Sequence, residues 1–221
     1  MKIYLLMLVV ACCVEPPPLP PAGLEAASLE TSAFAQNKGG EKIDLGQIDS
    51  DLLSAAIFHE TNKRRQIEGL LPMLDQPQLR AAARMQADIM AERGSVSHVN
   101  PGLVGKETVA DRFLLAGLTP GFSAENVATT FGLKYRAGEP LYTREVNGKK
   151  LFSREKNGDP IEMHTYLSLA ESVLNQWMAS PGHRANIVSN ARFLGAGCQV
   201  AMNSLGMPVF YCAQTFYTPP K

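Results

Sequence analysis

The chain has 221 residues, and its 21 lysines and arginines balance its 21 aspartates and glutamates, so the formal net charge is zero. A balanced charge argues against the broad basic surface that nucleic-acid binding requires, and we expect no nucleic-acid partner. The length and the 45% hydrophobic content suit one folded domain preceded by an N-terminal extension.

The N-terminus has the pattern of an export signal. Met1 and Lys2 form a basic head, residues 3–11 are apolar, and Cys12 ends the sequence Val-Val-Ala-Cys. Such a short run is typical of a signal peptide and not of a membrane-spanning helix. Residues 1–12 resemble a bacterial signal peptide with a lipobox, in which Cys12 is lipidated and tethers the protein to a membrane. The alternative is cleavage and soluble secretion, and Ala33-Phe34-Ala35 offers a second cleavage site. Either route predicts an extracytoplasmic protein, whether periplasmic, a cell-envelope lipoprotein or secreted.

Residues 13–48 are rich in proline, alanine and glycine, including the runs Pro16-Pro17-Pro18 and Pro20-Pro21. Such a composition buries too little apolar surface to offset the entropy lost on ordering. The sequence therefore predicts a disordered linker between the signal and the folded domain.

Four helices are predicted in the folded part. Apolar residues recur at helical spacing over Leu52–Gln66, and a second, alanine-rich helix begins with Asp75 as its cap and ends at Gly94. A short third helix is predicted over Glu107–Ala116. The fourth covers Thr165–Ala179, with an apolar stripe that includes Leu174 and Trp177.

The C-terminus changes to the alternation of strands. Residues 193–202 and 207–216 predict a hairpin through Asn203-Ser-Leu-Gly206. Cys198 and Cys212 are equally far from the turn, so a symmetric hairpin places them opposite each other, near the distance that a disulfide needs. In an exported protein we predict this bond; two buried free thiols are the alternative.

Residues 132–160 carry charged side chains and the turn pairs Asn147-Gly148 and Asn157-Gly158. They predict one hairpin or two short arms inserted into the domain. The insertion is either a partner-binding arm or a tolerated addition.

Three separated segments carry the residues that suggest a site. They are Ser97-His98, Ser123-Ala-Glu125-Asn126, and the longer run Trp177-Met-Ala-Ser-Pro-Gly-His183-Arg-Ala-Asn-Ile187. Together they resemble the CAP superfamily of cysteine-rich secretory, antigen 5 and pathogenesis-related proteins, in the compact form of its bacterial branch. The resemblance implies an α+β fold over residues 49–218, a three-layer α-β-α sandwich around a small antiparallel sheet.

The resemblance also implies a cleft lined by His98, Glu125 and His183, since two histidines and two glutamates line the cavity in animal and plant members. The second family glutamate falls at Ser180 here, so the set is incomplete; Glu171 is one candidate to replace it. Two imidazoles and a carboxylate can hold a zinc ion with an open position, so a divalent metal is the expected cofactor if there is one. Alternatively, Glu125 accepts hydrogen bonds and sets the histidine tautomers without a metal.

These residues lead to two main functional hypotheses. The first is a non-enzymatic binding module for an unidentified lipid, envelope or protein ligand. The second is a metal-dependent hydrolase of peptide or cell-wall material that uses His98, Glu125 and His183 as catalytic residues. No His-Glu-x-x-His motif and no nucleophile elbow is present, and we lean towards a protein that is not an enzyme. A third reading is a cluster that only stabilises the fold.

Further residues receive weaker predictions. Arg184 and Asn186 are expected to bond loop carbonyls, and His59 and His164 are expected to be packing or surface residues. Three aromatic residues are candidates for contact with a lipid or sugar beside the cleft: Phe122, Phe131 and Tyr135.

Overall fold

The computed structural model describes residues 22–220, and the predicted signal peptide with Cys12 lies outside this range. The described residues form six helices and six strands. The helices are α1 Ala22–Lys38, α2 Ser50–Ile67, α3 Pro77–Arg93, α4 Val109–Leu115, α5 Tyr166–Ala179 and α6 Pro181–Ile187. The strands are β1 Leu74–Asp75, β2 Phe122–Phe131, β3 Tyr142–Val146, β4 Lys149–Ser153, β5 Phe193–Met202 and β6 Pro208–Thr218. None of these helices is long and apolar enough to cross a bilayer.

A four-stranded sheet in the order β1-β5-β6-β2 forms the middle layer. Only the two-residue β1 is parallel to its neighbour, and the remaining pairs are antiparallel. Side chains of β6 alternate between the two faces, as a strand requires. Phe210 and Phe216 enter the core shared with α2 and α5, whereas Ala213 and Tyr217 pack with α3 and α4. The predicted α+β fold with three α-β-α layers is therefore confirmed.

The larger core lies between the sheet, α2 and α5. Ala170, Leu174 and Trp177 of α5 are buried there, in agreement with the predicted apolar stripe. Two further apolar residues of the helix, Leu167 and Met178, are partly buried against the same core. Thr165 caps α5 in a reciprocal pair of hydrogen bonds with Ser168, so the helix begins where the sequence predicts.

Helix α3 approaches the other face of the sheet more closely than side chains on β5 would allow. A Cβ at Gly195 would overlap the backbone of Leu79 and Arg80, and one at Gly197 would lie 2.7 Å from the backbone nitrogen of Arg84. The prediction that Asp75 caps α3 is wrong. Gln76 occupies the cap position, and the buried Asp75 side chain pairs instead with Arg80.

Helix α1 contradicts the prediction that residues 13–48 are wholly disordered. It packs along α2, where Ser32 Oγ lies 2.6 Å from His59 Nδ1, and Ala35 is fully buried. Ser28 Oγ accepts a 2.8 Å hydrogen bond from the Asp75 backbone, and Thr31 donates to the Asp75 carboxyl. The alanines that suggested a linker instead favour a helix with a small-residue face, and only the proline runs precede it.

The insertion over residues 132–160 forms a hairpin of β3 and β4. Asn147 and Gly148 make its turn with φ of 51° and 72°, the left-handed conformation that this pair favours. Its base has a small core of its own, in which Phe152, Ile161 and Met207 are buried. The base of the hairpin is therefore anchored to the domain, and the residues of its turn are exposed.

Strands β5 and β6 pair so that Cys198 lies opposite Cys212, and a disulfide joins them. The predicted bond and its symmetric register are confirmed.

Candidate functional site

The three residues predicted to form a cleft converge at the edge of the sheet. Glu125 lies in the edge strand β2, His98 in the loop after α3, and His183 in α6. His98 Nδ1 is 3.0 Å from Glu125 Oε1, and the centroids of the two imidazole rings are 6.4 Å apart. The His98 side chain is 51% exposed but that of Glu125 only 2%, so a buried carboxylate supports an accessible imidazole.

Two asparagines hold α6, and with it His183, against β2. Asn126 Nδ2 donates to the backbone oxygen of His183 at 3.1 Å and to Gln214 Oε1 at 3.1 Å. Asn186 Nδ2 donates to Asn126 Oδ1 at 2.8 Å and to the Glu125 backbone oxygen at 3.4 Å. The position of His183 is therefore tied to the strand that carries Glu125.

The loop that carries His98 is held by a buried amide pair. Asn100 Nδ2 donates to Gln86 Oε1 at 2.7 Å and to the backbone oxygen of Lys106 at 2.8 Å. Gln86, from α3, donates in turn to the Ser97 backbone oxygen. These bonds hold the backbone on both sides of His98.

Arg112 of α4 also belongs to the site, because it pairs with Glu125, although no sequence motif marks it. Its Nη2 lies 2.7 Å from Glu125 Oε2 and 3.4 Å from the His98 backbone oxygen, and its side chain is fully buried. Within the described residues its Nε has no hydrogen-bond partner. Nothing in the pattern of α4 distinguishes this arginine from a surface cation, whereas Asn126 could have been noticed beside Glu125 in its motif.

The electrostatics favour a neutral imidazole at His183. Burial lowers the pKa of His183, and the neighbouring His98 imidazole lowers it further. A neutral ring keeps one nitrogen free to accept a hydrogen bond or to bind a metal.

Both oxygens of the Glu125 carboxylate, a predicted metal ligand, have protein partners. Oε1 lies beside His98 Nδ1, and Oε2 lies beside Arg112 Nη2. Among residues 22–220, no three histidine, cysteine, aspartate or glutamate side chains are arranged to hold a metal ion. The two imidazoles, of His98 and His183, are the side chains of the predicted ligand set that stay available to bind a metal.

Glu171 does not replace the missing fourth member. It is exposed and borders a shallow depression between α2 and α5, together with Glu60, Lys63 and Arg64. The position of the second family glutamate, Ser180, lies at the junction of α5 and α6, and its side chain makes no capping bond.

The weaker predictions have mixed outcomes. Asn186 does bond a strand carbonyl, but Arg184 pairs with Glu68 at 2.8 Å instead of bonding loop carbonyls. Phe131 and Tyr135 pack edge to face in the small core at the hairpin base, with centroids 5.0 Å apart, so they do not line the cleft.

Comparisons with known proteins give only distant likenesses. No protein-family model and no curated protein matches the chain. It is similar to an outer surface protein from Borrelia burgdorferi, with a TM-score of 0.49 and 14% identity over 82% of this chain and 99% of the other. It is also similar to an extracellular, SCP-domain protein from Bacillus anthracis, with a TM-score of 0.47 and 20% identity over 76% of this chain and 41% of the other. For a cysteine-rich secretory protein from Staphylococcus aureus, the TM-score is 0.44 and the identity 13%, over 77% and 40% of the two chains. The chain thus spans about two fifths of the length of the last two proteins.

Proposed function

We propose that this chain is an exported CAP-type binding module whose cleft is built on His98 and His183. Three features support the proposal: the motif resemblance, the three-layer fold, and the export-type pattern of residues 1–12. The ligand class stays open between lipid, envelope and protein partners.

The proposal rests mainly on the contacts of the Glu125 carboxylate, whose two oxygens both have protein partners. A general base must be free to take a proton from a substrate or a water in the cleft. Here the carboxylate contacts His98 on one oxygen and the buried Arg112 on the other. Such a carboxylate orients the His98 imidazole and is not itself free to act as the general base of a hydrolase.

Divalent metal binding fits the two imidazoles. Glu125 contacts Nδ1 of His98, so Nε2 is the nitrogen left to bind a metal. A carboxylate that accepts a hydrogen bond from the other nitrogen of a metal-binding histidine is common in metal sites. A bound ion would supply a Lewis acid able to hold a carbonyl or anionic group of a ligand. Two protein ligands are fewer than the three typical of catalytic zinc, so we favour a weak, exchangeable metal over a hydrolytic centre.

Zinc titration calorimetry tests this proposal. The chain has four histidines, which provides a matched control: His98→Ala/His183→Ala removes the cleft pair, and His59→Ala/His164→Ala removes the other two. We expect zinc binding in the wild type and in the control variant, and none in the cleft variant. Glu125→Gln should weaken binding roughly 10- to 100-fold without abolishing it, as expected for an outer-shell partner.

Two results would contradict the proposal. Equal binding by both double variants would show that the metal binds elsewhere. Turnover of a peptide or cell-wall substrate that is lost in His98→Ala, in a variant that still folds, would replace the binding module with the hydrolase.

A further inference from the structure

The β3–β4 hairpin carries a concentration of positive charge in an otherwise neutral chain. Residues 142–156 hold five lysines and arginines against two glutamates, whereas the whole chain has a net charge of zero. Of the five cations, Arg154 is neutralised by Glu139 at 2.8 Å. Among the described residues, Arg144 and Lys149 have no acidic partner within salt-bridge distance.

The strand register shows which face of the hairpin is turned outwards. Phe152 is buried in the small core, and Lys150 Nζ donates to the Leu205 backbone oxygen at 2.8 Å, so the β4 part of the face with residues 150 and 152 contacts the domain. Thr143 and Glu145, on the β3 part of the same face, are exposed. Side chains alternate along a strand, and opposite residues share a face. The other face, here called the outer face of the arm, is made by Tyr142, Arg144, Val146, Lys149, Leu151 and Ser153. Tyr142, Val146 and Lys149 are exposed there, whereas Arg144 and Leu151 are half-buried and Ser153 is buried.

The outer face combines apolar and cationic side chains. Tyr142 and Val146 are 46% and 42% exposed, and Arg144 lies between them on the same strand. An aromatic ring with a polar tip, aliphatic side chains and flanking cations are what a membrane–water interface accommodates.

The size of this face favours a lipid surface over a protein partner. Five residues of strand extend about 17 Å, and two strands are about 10 Å wide, so the footprint is roughly 170 Å². A stable protein interface buries about 800 Å² on each partner. A lipid surface needs no complementary shape, and each cation near an anionic surface contributes independently.

We propose that the outer face of the arm binds anionic phospholipid surfaces, with Arg144 and Lys149 contacting head groups and Tyr142 and Val146 entering the interface. This function is separate from the histidine cleft. It gives the insertion the role of orienting the domain on a membrane.

The test compares vesicles of phosphatidylcholine alone with vesicles that also contain phosphatidylglycerol. The measured quantity is the ratio of the two partition coefficients of the full chain, because a lipid anchor or an apolar N-terminus would contribute to both. Arg144→Ala/Lys149→Ala should lower this ratio about 25-fold, since each cation near the surface contributes about fivefold. Lys38→Ala/Arg93→Ala removes two exposed cations from helix ends elsewhere and should leave the ratio unchanged.

Two further measurements locate the contact. Tyr142→Ser/Val146→Ser should weaken binding to the anionic vesicles while keeping the charge of the arm. Backbone amide exchange over residues 142–151 should slow when anionic vesicles are added. Equal ratios for the wild type and Arg144→Ala/Lys149→Ala would overturn the proposal. So would binding of the arm to soluble polyglutamate without any preference for anionic vesicles, because that result would identify an acidic protein as its partner.

Discussion

At the scale of single residues, the pair of Arg112 and Glu125 controls both the site and its stability. Arg112→Met leaves the Glu125 carboxylate buried beside one half-exposed histidine, so we expect the free energy of unfolding to fall by about 3–5 kcal/mol. Arg112→Met/Glu125→Met removes both charges and should cost less than the sum of the two single variants. Urea unfolding of the four proteins gives the coupling energy directly. Simple additivity would mean that the two side chains do not act as a pair.

His164 is a second residue whose chemistry can be tested, through the effect of pH on stability. Burial, with a smaller contribution from Lys134, lowers the pKa of His164 from 6.5 to about 4, and its Nδ1 lies 2.8 Å from Ser168 Oγ. Between these two pH values the unfolded chain binds the proton and the folded chain does not. The stability contributed by the neutral ring is therefore present above pH 6.5 and is lost as the pH falls towards 4.

The change His164→Asn should remove this part of the pH dependence. Because His164 is only half-buried, we expect the wild type to lose about 1 kcal/mol more than the variant over this pH range. Urea midpoints measured at neutral pH and near the folded-state pKa provide the comparison. Parallel pH profiles for the two proteins would show that His164 is not responsible.

At the scale of elements, α1 is the largest difference between the predicted and the observed domain, because a segment expected to be a linker is a helix packed on α2. Ala35 of α1 is fully buried, whereas Ala33 on the same helix is exposed. Ala35→Glu should therefore detach α1, because a carboxylate cannot be buried there without a partner. Ala33→Glu is the matched control and should leave the helix docked.

Limited proteolysis measures this difference. We expect rapid cleavage within residues 22–38 for Ala35→Glu, and protection for Ala33→Glu and the wild type. Equal protection of all three proteins would mean that the buried face of α1 contributes little to its docking.

The elements also show which parts of the fold can be predicted from sequence. Helices α2, α3 and α5 and the β5–β6 hairpin were predicted within about two residues at most ends, because apolar periodicity and turn residues agree there. Strand β2 was not predicted, since it buries polar residues such as Asn126 and Thr130 that obscure the alternation. Helix α1 was missed because composition alone does not show which alanines find a partner surface.

At the scale of the whole molecule, the site depends on long-range placement that local patterns do not contain. His98, Glu125 and His183 could be grouped because each carries a recognisable motif. Arg112 carries none, and only the packing of α4 beside β2 brings its guanidinium to Glu125. The motifs therefore pointed to the three residues that converge at the edge of the sheet, whereas the buried guanidinium beside Glu125 required the three-dimensional fold.

The disulfide allows the last prediction, which concerns the stability of the molecule as a unit. Cys198 and Cys212 lie on the two central strands of the sheet, which contact both helical layers, and are 14 residues apart in sequence. Closing a loop of this size removes enough entropy from the unfolded chain to stabilise the fold by about 3 kcal/mol. Cys198→Ala/Cys212→Ala should therefore lower the free energy of unfolding by about that amount, measured by urea denaturation without reductant. Adding reductant should bring the wild type close to the variant and leave the variant unchanged. A wild type that loses no stability on full reduction would show that the hairpin is held by its strand pairing and core contacts alone.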